Sequence, residues 1–122
     1  MRTVTITECS KELTARERLL VKDLTDATKI DTLVQENEET IITPDFYATI
    51  AVTFDSADEG EDHEKYIIVD KDGEKYQTGS KSFWNSFTDI KQEMGDEPFS
   101  IKVYRRDSKN RQGKYFITCS IV

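Results

Sequence analysis

The chain has 122 residues, 36% of them hydrophobic and 34% charged, and a formal charge of -7 from 17 Lys and Arg against 24 Asp and Glu. That length suits one compact domain and excludes a large multidomain enzyme. Taken alone, the net charge argues against nucleic acid, a ligand that attracts cations. The charge is unevenly spread, however. Residues 1–22 balance at +2, residues 23–70 at -12 and residues 71–122 at +3. The stretch from Phe99 to Val122 carries six basic residues and one acidic. Binding must therefore be argued segment by segment.

No run approaches the roughly 18 apolar residues needed to cross a bilayer. The start, Met1 to Glu8, lacks an apolar core of signal-peptide length, so the expectation is a cytoplasmic protein with no membrane partner. Cys9 and Cys119 are too few for a disulfide framework, and in that compartment both read as reduced thiols.

In chain order, Thr3-Val4-Thr5-Ile6-Thr7 alternates as a β-branched strand. Ser10 to Lys22 is ambiguous between a capped helix and a buried strand, and Leu19-Leu20-Val21 favours a strand over Ala15 to Lys22. Thr40 to Phe54 is the clearest early strand, with Pro44 marking an edge or a bulge. Beyond the proline, Phe46, Ala48, Ile50, Val52 and Phe54 share one face, and Tyr47, Thr49, Ala51 and Thr53 the other. Asp55 to Glu64 is too polar to bury itself and reads as a solvated loop.

Tyr66 to Asp70 and Glu74 to Thr78 form the two arms of a hairpin around Asp72-Gly73. Ser80 then caps a helix whose Phe83, Phe87, Ile90 and Met94 make one apolar stripe. Trp84 lies beside Phe87 near the rim and reads as core in preference to a place near a binding groove, and Gly95 and Pro98 stop the helix. Phe99, Ile101 and Val103 alternate with Ser100, Lys102 and Tyr104 in the next strand. A basic loop, Arg105 to Lys114, leads to a last strand over Lys114 to Val122. This order predicts a mainly β protein with one helix: an OB-like Greek-key five-stranded barrel with its helix between the third and fourth strands. It is one OB-like domain over residues 1–122, with the N-terminal segment 1–14 only loosely assigned to it.

Catalytic chemistry finds little support. His63 is the only histidine and the two cysteines lie far apart, so zinc-ligand spacing is absent. Tested as a calcium loop from Asp55, the acidic stretch places Ala57 and Tyr66 where oxygen ligands are required. Gly79-Ser80-Lys81-Ser82 lacks the spacing of a phosphate-binding loop and is better read as a helix cap. No nucleophile–base pair is evident. The expectation is a protein without enzyme activity, metal or cofactor.

The C-terminal hairpin, Tyr104 to Phe116, interleaves cations with aromatics. Single-stranded nucleic acid needs this combination, because cations track phosphates and flat rings stack on unpaired bases. Lys102 and Tyr104 share the face opposite Phe99, Ile101 and Val103, and Tyr47 and Tyr76 are further stacking candidates. Basic hairpin tips are also common solvated turns, and the adjacent pair Tyr115 and Phe116 implies that one of them points into the core.

A family resemblance adds weight to the first reading. A strand ending in Asp-x-x-Gly is followed by Tyr76, Ser80-Lys81 and a helix with Phe87, Asp89 and Ile90. Then come Phe99-Ser100-Ile101-Lys102-Val103, Ser108-Lys109, Gly113 and the closing Phe116-Ile117-Thr118-Cys119-Ser120-Ile121. Thr40-Ile41-Ile42 to Thr53 matches more weakly. In this order of features the chain resembles the small single-stranded-DNA-binding proteins of tailed phages and related mobile elements of Gram-positive bacteria.

The resemblance implies an OB-like barrel that coats single-stranded DNA without sequence preference during replication, with replication proteins as further partners. Tyr47, Tyr76 and Tyr104 would then stack on bases, and Lys102, Arg105, Arg106, Lys109, Arg111 and Lys114 would contact phosphates. The alternative is an acidic protein-interaction or DNA-mimicking module that uses residues 23–70 to meet a basic partner.

Overall fold

The computed structural model describes residues 2–36, 39–107 and 115–122, with only the backbone of Glu36 and Asp107. The elements run β1 (Arg2–Cys9), α1 (Ala15–Lys22), β2 (Thr28–Lys29), α2 (Ile30–Glu36), β3 (Thr40–Ile42) and β4 (Pro44–Phe54). They continue with β5 (His63–Asp70), β6 (Lys75–Thr78), α3 (Lys81–Met94), β7 (Ile101–Asp107) and β8 (Tyr115–Ile121). The fold is mainly β, as expected. The strands fall into two sheets, one ordered β1-β4-β5-β6-β2 and the other β3-β7-β8. Closure of five strands into one barrel is not shown by these pairings, and the long helix α3 lies between the sixth and seventh strands.

Pro44 explains part of this division. Thr40 to Phe54, expected as one strand, is two: β3 pairs with β7, while β4 pairs with β1. Proline lacks a ladder donor, and the pairing partner changes where it falls.

The contacts divide the chain into two compact units. The first comprises residues up to Thr28 with Asp45–Gly79. Its core joins Phe46, Ala48, Ile50 and Val52 of β4 to Ile67 and Val69 of β5, with Leu13 and Val21 from the α1 region. The β4 alternation thus holds as read, with these four side chains buried.

The Ala15–Lys22 segment is a helix, contrary to the strand expected there. Thr14 and Glu17 form a reciprocal capping box: Glu17 N donates to Thr14 Oγ1 at 3.2 Å, and Thr14 N donates to Glu17 Oε1 at 3.0 Å. That satisfies two backbone donors at the helix start, and Arg16, Glu17 and Arg18 are weakly suited to a strand. Leu19 is 70% exposed, so the apolar triplet was misleading. The far end is held by β6. Lys75 Nζ donates to Leu20 O at 3.0 Å and Asp23 O at 2.5 Å, and Gln77 Nε2 reaches Leu24 O and Ala27 O.

The second unit comprises Lys29–Pro44 and Ser80–Val122. Ser80 caps α3 through its side-chain oxygen, which accepts from Phe83 N at 3.2 Å. Gly95 ends the helix at φ +62, a conformation that favours glycine. Phe83 and Phe87 are fully buried, and Trp84, 7% exposed, stacks on Phe87 with ring centroids 5.1 Å apart. Trp84 is therefore core. The helix is tied to β8 by Ser82 Oγ donating to Ile117 O at 3.1 Å and by the Ser86 and Thr118 hydroxyls 3.0 Å apart. Among the described residues no helix is long and apolar enough to cross a membrane.

Candidate nucleic-acid interface

The antiparallel register of β7 and β8 sorts their side chains. Val103 faces Cys119, Tyr104 faces Thr118, Arg105 faces Ile117 and Arg106 faces Phe116, and the backbone of Asp107 pairs with that of Tyr115. Ile101, Val103, Ile117 and Cys119 are buried and mark one face as core, together with Ile42 of β3. By strand alternation Lys102, Tyr104, Arg106 and Phe116 occupy the opposite face.

On that face Lys102 Nζ lies 5.5 Å from the centroid of the Tyr104 ring, a cation–π distance. The Tyr104 hydroxyl pairs with Ser120 Oγ at 2.7 Å, which holds the ring against the sheet. Arg106 is exposed, and Phe116 is 39% exposed. Lys102 also approaches Glu39 Oε1 at 3.8 Å, an exposed pair too weak to commit the cation permanently. Two aromatic rings and two cations are thus presented along one strand pair.

Arg105 belongs to the other face. Its guanidinium sits 5.2 Å from the centroid of the Tyr115 ring, and Gln35 Nε2 of α2 donates to the Tyr115 hydroxyl at 2.8 Å. Tyr115 is 41% exposed. The expectation that Tyr115 or Phe116 enters the core is therefore corrected: the two rings point to opposite faces, and both meet solvent. They lie on the hairpin beyond the rows that carry Ile101, Val103 and Cys119, where apolar cover has ended. Counting rows outward from a core pair such as Val103 and Cys119 was the signal that would have found them. Lys109, Arg111 and Lys114 lie outside the described residues.

Tyr47 and Tyr76 belong to the first unit. They share the face of the five-stranded sheet opposite the Phe46-to-Val69 core cluster. Their electrostatic surroundings are acidic. Burial first, then the charges of Asp70, Glu74 and Asp72, push the Tyr76 phenol up to about 12. Its hydroxyl points at Asp70 Oδ2, 3.4 Å away. Burial and then the charges of Glu8 and Cys9 raise Tyr47. The Asp70 carboxylate also accepts from Asp72 N and Glu74 N, each at 2.9 Å, so it is fixed as an anion acceptor in the turn.

The acidic loop after β4 forms a shallow pocket lined by Phe54, Asp55, Ser56, Ala57, Gly60, Glu61 and Asp62. Among the described residues no three His, Cys, Asp or Glu side chains converge on a metal position. Cys9 is exposed, and burial pushes the Cys119 thiol up to about 12, which makes it a poor nucleophile. No protein-family model, curated protein or solved structure matches the chain.

Proposed function

We propose that this protein binds single-stranded DNA without sequence preference, through the β7–β8 face bearing Lys102, Tyr104, Arg106 and Phe116. The observation that carries the reading is the alternation of rings and cations on one partly exposed sheet face, with Lys102 poised over Tyr104. Each ring can take a base at about 1–3 kcal/mol, and every base has a π-face, so sequence matters little. The cations neutralise the phosphates between stacked bases.

An acidic protein can do this because the charge that matters is local. Coating of DNA in phage or mobile-element replication, in the cytoplasm and with replication proteins as partners, extends the proposal along the sequence resemblance. An OB-like arrangement is part of the same proposal, supported by the β-rich order with a long helix ahead of the final hairpin. Within it, Tyr104 is the primary stacking residue, and Tyr47 and Tyr76 are secondary candidates because acidic groups surround them.

The test is a titration of end-labelled oligo-dT followed by anisotropy at low salt, repeated as salt is raised. Binding is expected to weaken with a slope of about 0.7 per phosphate neutralised. An unchanged anisotropy at micromolar protein sinks the proposal.

A further inference from the structure

β1 is an edge of the five-stranded sheet, and among the described residues β4 is its one strand neighbour. Its outer side therefore presents the backbone N–H and C=O groups of a strand of 8 residues with no ladder to join. Edges are ordinarily guarded by proline, by lysine, by an inward-pointing charge or by a bulge. Arg2–Cys9 contains neither proline nor lysine, and the register shift against β4 falls late, between Ile6 and Glu8. The stretch before it, Arg2 to Ile6, pairs regularly and is rich in β-branched residues.

The apolar face of the sheet also runs out to this edge. Val4 lies opposite Val52 and Ile6 opposite Ile50. Val52 and Ile50 are buried, whereas Val4 and Ile6, packed on the same core cluster, are only half-buried. One more strand carrying apolar residues in the same rows would complete their cover.

β1 has the sequence of such a strand. Reversed about Thr5, the run Arg2-Thr3-Val4-Thr5-Ile6-Thr7-Glu8 sets valine against isoleucine, threonine against threonine and Arg2 against Glu8. Directly opposed residues of an antiparallel pair share a face, so two copies paired in this way bring Val4 and Ile6 together on the core side. The terminal charges select the same arrangement. Antiparallel copies place each Arg2 at the end that carries the other's Glu8, whereas parallel copies place like charges side by side.

We infer that β1 is a homodimer seam, where two copies of this chain pair antiparallel about Thr5 and join their five-stranded sheets edge to edge. The inference concerns the first unit and does not rest on the single-strand reading above. One short ladder buries less than a standard interface, so the dimer is weak, with a Kd on the order of tens of micromolar.

Sedimentation equilibrium of the parent protein, from micromolar to near-millimolar concentration, is expected to show monomers in exchange with dimers. Thr5→Lys changes one exposed side chain and opposes two ammonium groups across the axis. It should keep the parent's unfolding midpoint and weaken the dimer by about tenfold or more. Arg2→Glu should weaken it by about fivefold, and adding Glu8→Arg should restore it.

Crosslinking fixes the register and serves even if Thr5→Lys does not fold. In a Cys9→Ser background the remaining native thiol, Cys119, is buried. Thr5→Cys should then form an intermolecular disulfide under mild oxidation, since opposed Cβ atoms lie about 4.5–5.5 Å apart. Thr3→Cys should not, because the two introduced thiols would sit four rows apart, about 13 Å.

A parent protein that stays monomeric to near-millimolar concentration overturns the inference. A dimer that Thr5→Lys leaves intact also overturns it, because the seam would then lie elsewhere. Crosslinking through Thr3→Cys as fast as through Thr5→Cys excludes the pairing about Thr5 and overturns it too.

Discussion

Tyr76 and Tyr104 are both half-buried tyrosines on strands that end in a hairpin, yet their surroundings differ in sign. Tyr76 points its hydroxyl at Asp70 and feels Glu74 and Asp72, which help to push its phenol up to about 12. Tyr104 has a neutral hydroxyl partner in Ser120 and the Lys102 ammonium over its ring. A base brings its phosphate with it, so a ring among carboxylates meets repulsion where a ring beneath an ammonium meets attraction. An aromatic residue becomes a nucleic-acid contact through its neighbours as much as through its own π-face.

The sharpest way to break this comparison is to truncate each ring in turn. Tyr104→Ala should cost about 1–3 kcal/mol in oligo-dT affinity, or roughly 5- to 150-fold. Tyr76→Ala should leave affinity within about twofold while lowering stability, since its ring packs in a unit lacking the β7 cations. Anisotropy titrations of both variants check this. Equal losses in the two would show that local charge does not select the stacking residues.

The next effect is on folding and touches only the first unit. Lys75 is a buried lysine whose ammonium is spent on the carbonyls of Leu20 and Asp23. Lys75→Met keeps the stem and removes both charge-assisted bonds, exposing two carbonyls at the end of α1. It should cost about 2 kcal/mol in a denaturant melt and leave DNA affinity unchanged. A fall in affinity larger than the fall in stability explains would draw Lys75 into the interface.

A smaller, opposite effect is expected at Thr49 on β4. Its Oγ1 is buried and finds no hydrogen-bond partner among the described residues. Thr49→Val replaces that hydroxyl with a methyl of similar shape and should raise stability by about 1 kcal/mol. The midpoint of denaturant unfolding decides it.

What was legible in the sequence depended on how local the cause was. The β4 alternation, the Asp72-Gly73 turn, the Ser80 cap and the α3 stripe rest on neighbours within a few residues, and they fold as their patterns indicate. The Thr14-x-x-Glu17 capping box is equally local, but the apolar triplet that follows it hides the helix it starts. The partner switch at Pro44 and the acidic surroundings of Tyr76 depend on pairing. Asp70 reaches Tyr76 only after the hairpin sets Ile68 opposite it. Among the candidate site residues, the common face of Lys102 and Tyr104 followed from alternation alone. The separation of Arg105 from Arg106 by a sheet was available from the same rule, but the exposure of Tyr115 and Phe116 required knowing where the core rows end.

The last effect is a pH dependence, and it probes the surroundings of Tyr76 without DNA. The Tyr76 phenol titrates near 10 when unfolded and is raised to about 12 in the fold, by burial first and neighbouring carboxylates second. Below pH 10 both states hold the proton and Tyr76 contributes no slope. Between about pH 10 and 12 the unfolded chain releases it while the folded chain retains it, so stability falls as pH rises. Tyr76→Phe removes the titrating group and should flatten that part of the stability curve relative to the parent protein. Denaturant melts of the two proteins from pH 9 to 12 provide the measurement. A slope left at full strength in Tyr76→Phe would mean that this phenol does not carry the alkaline loss of stability, and the burial and carboxylates assigned to its surroundings would lose their physical consequence.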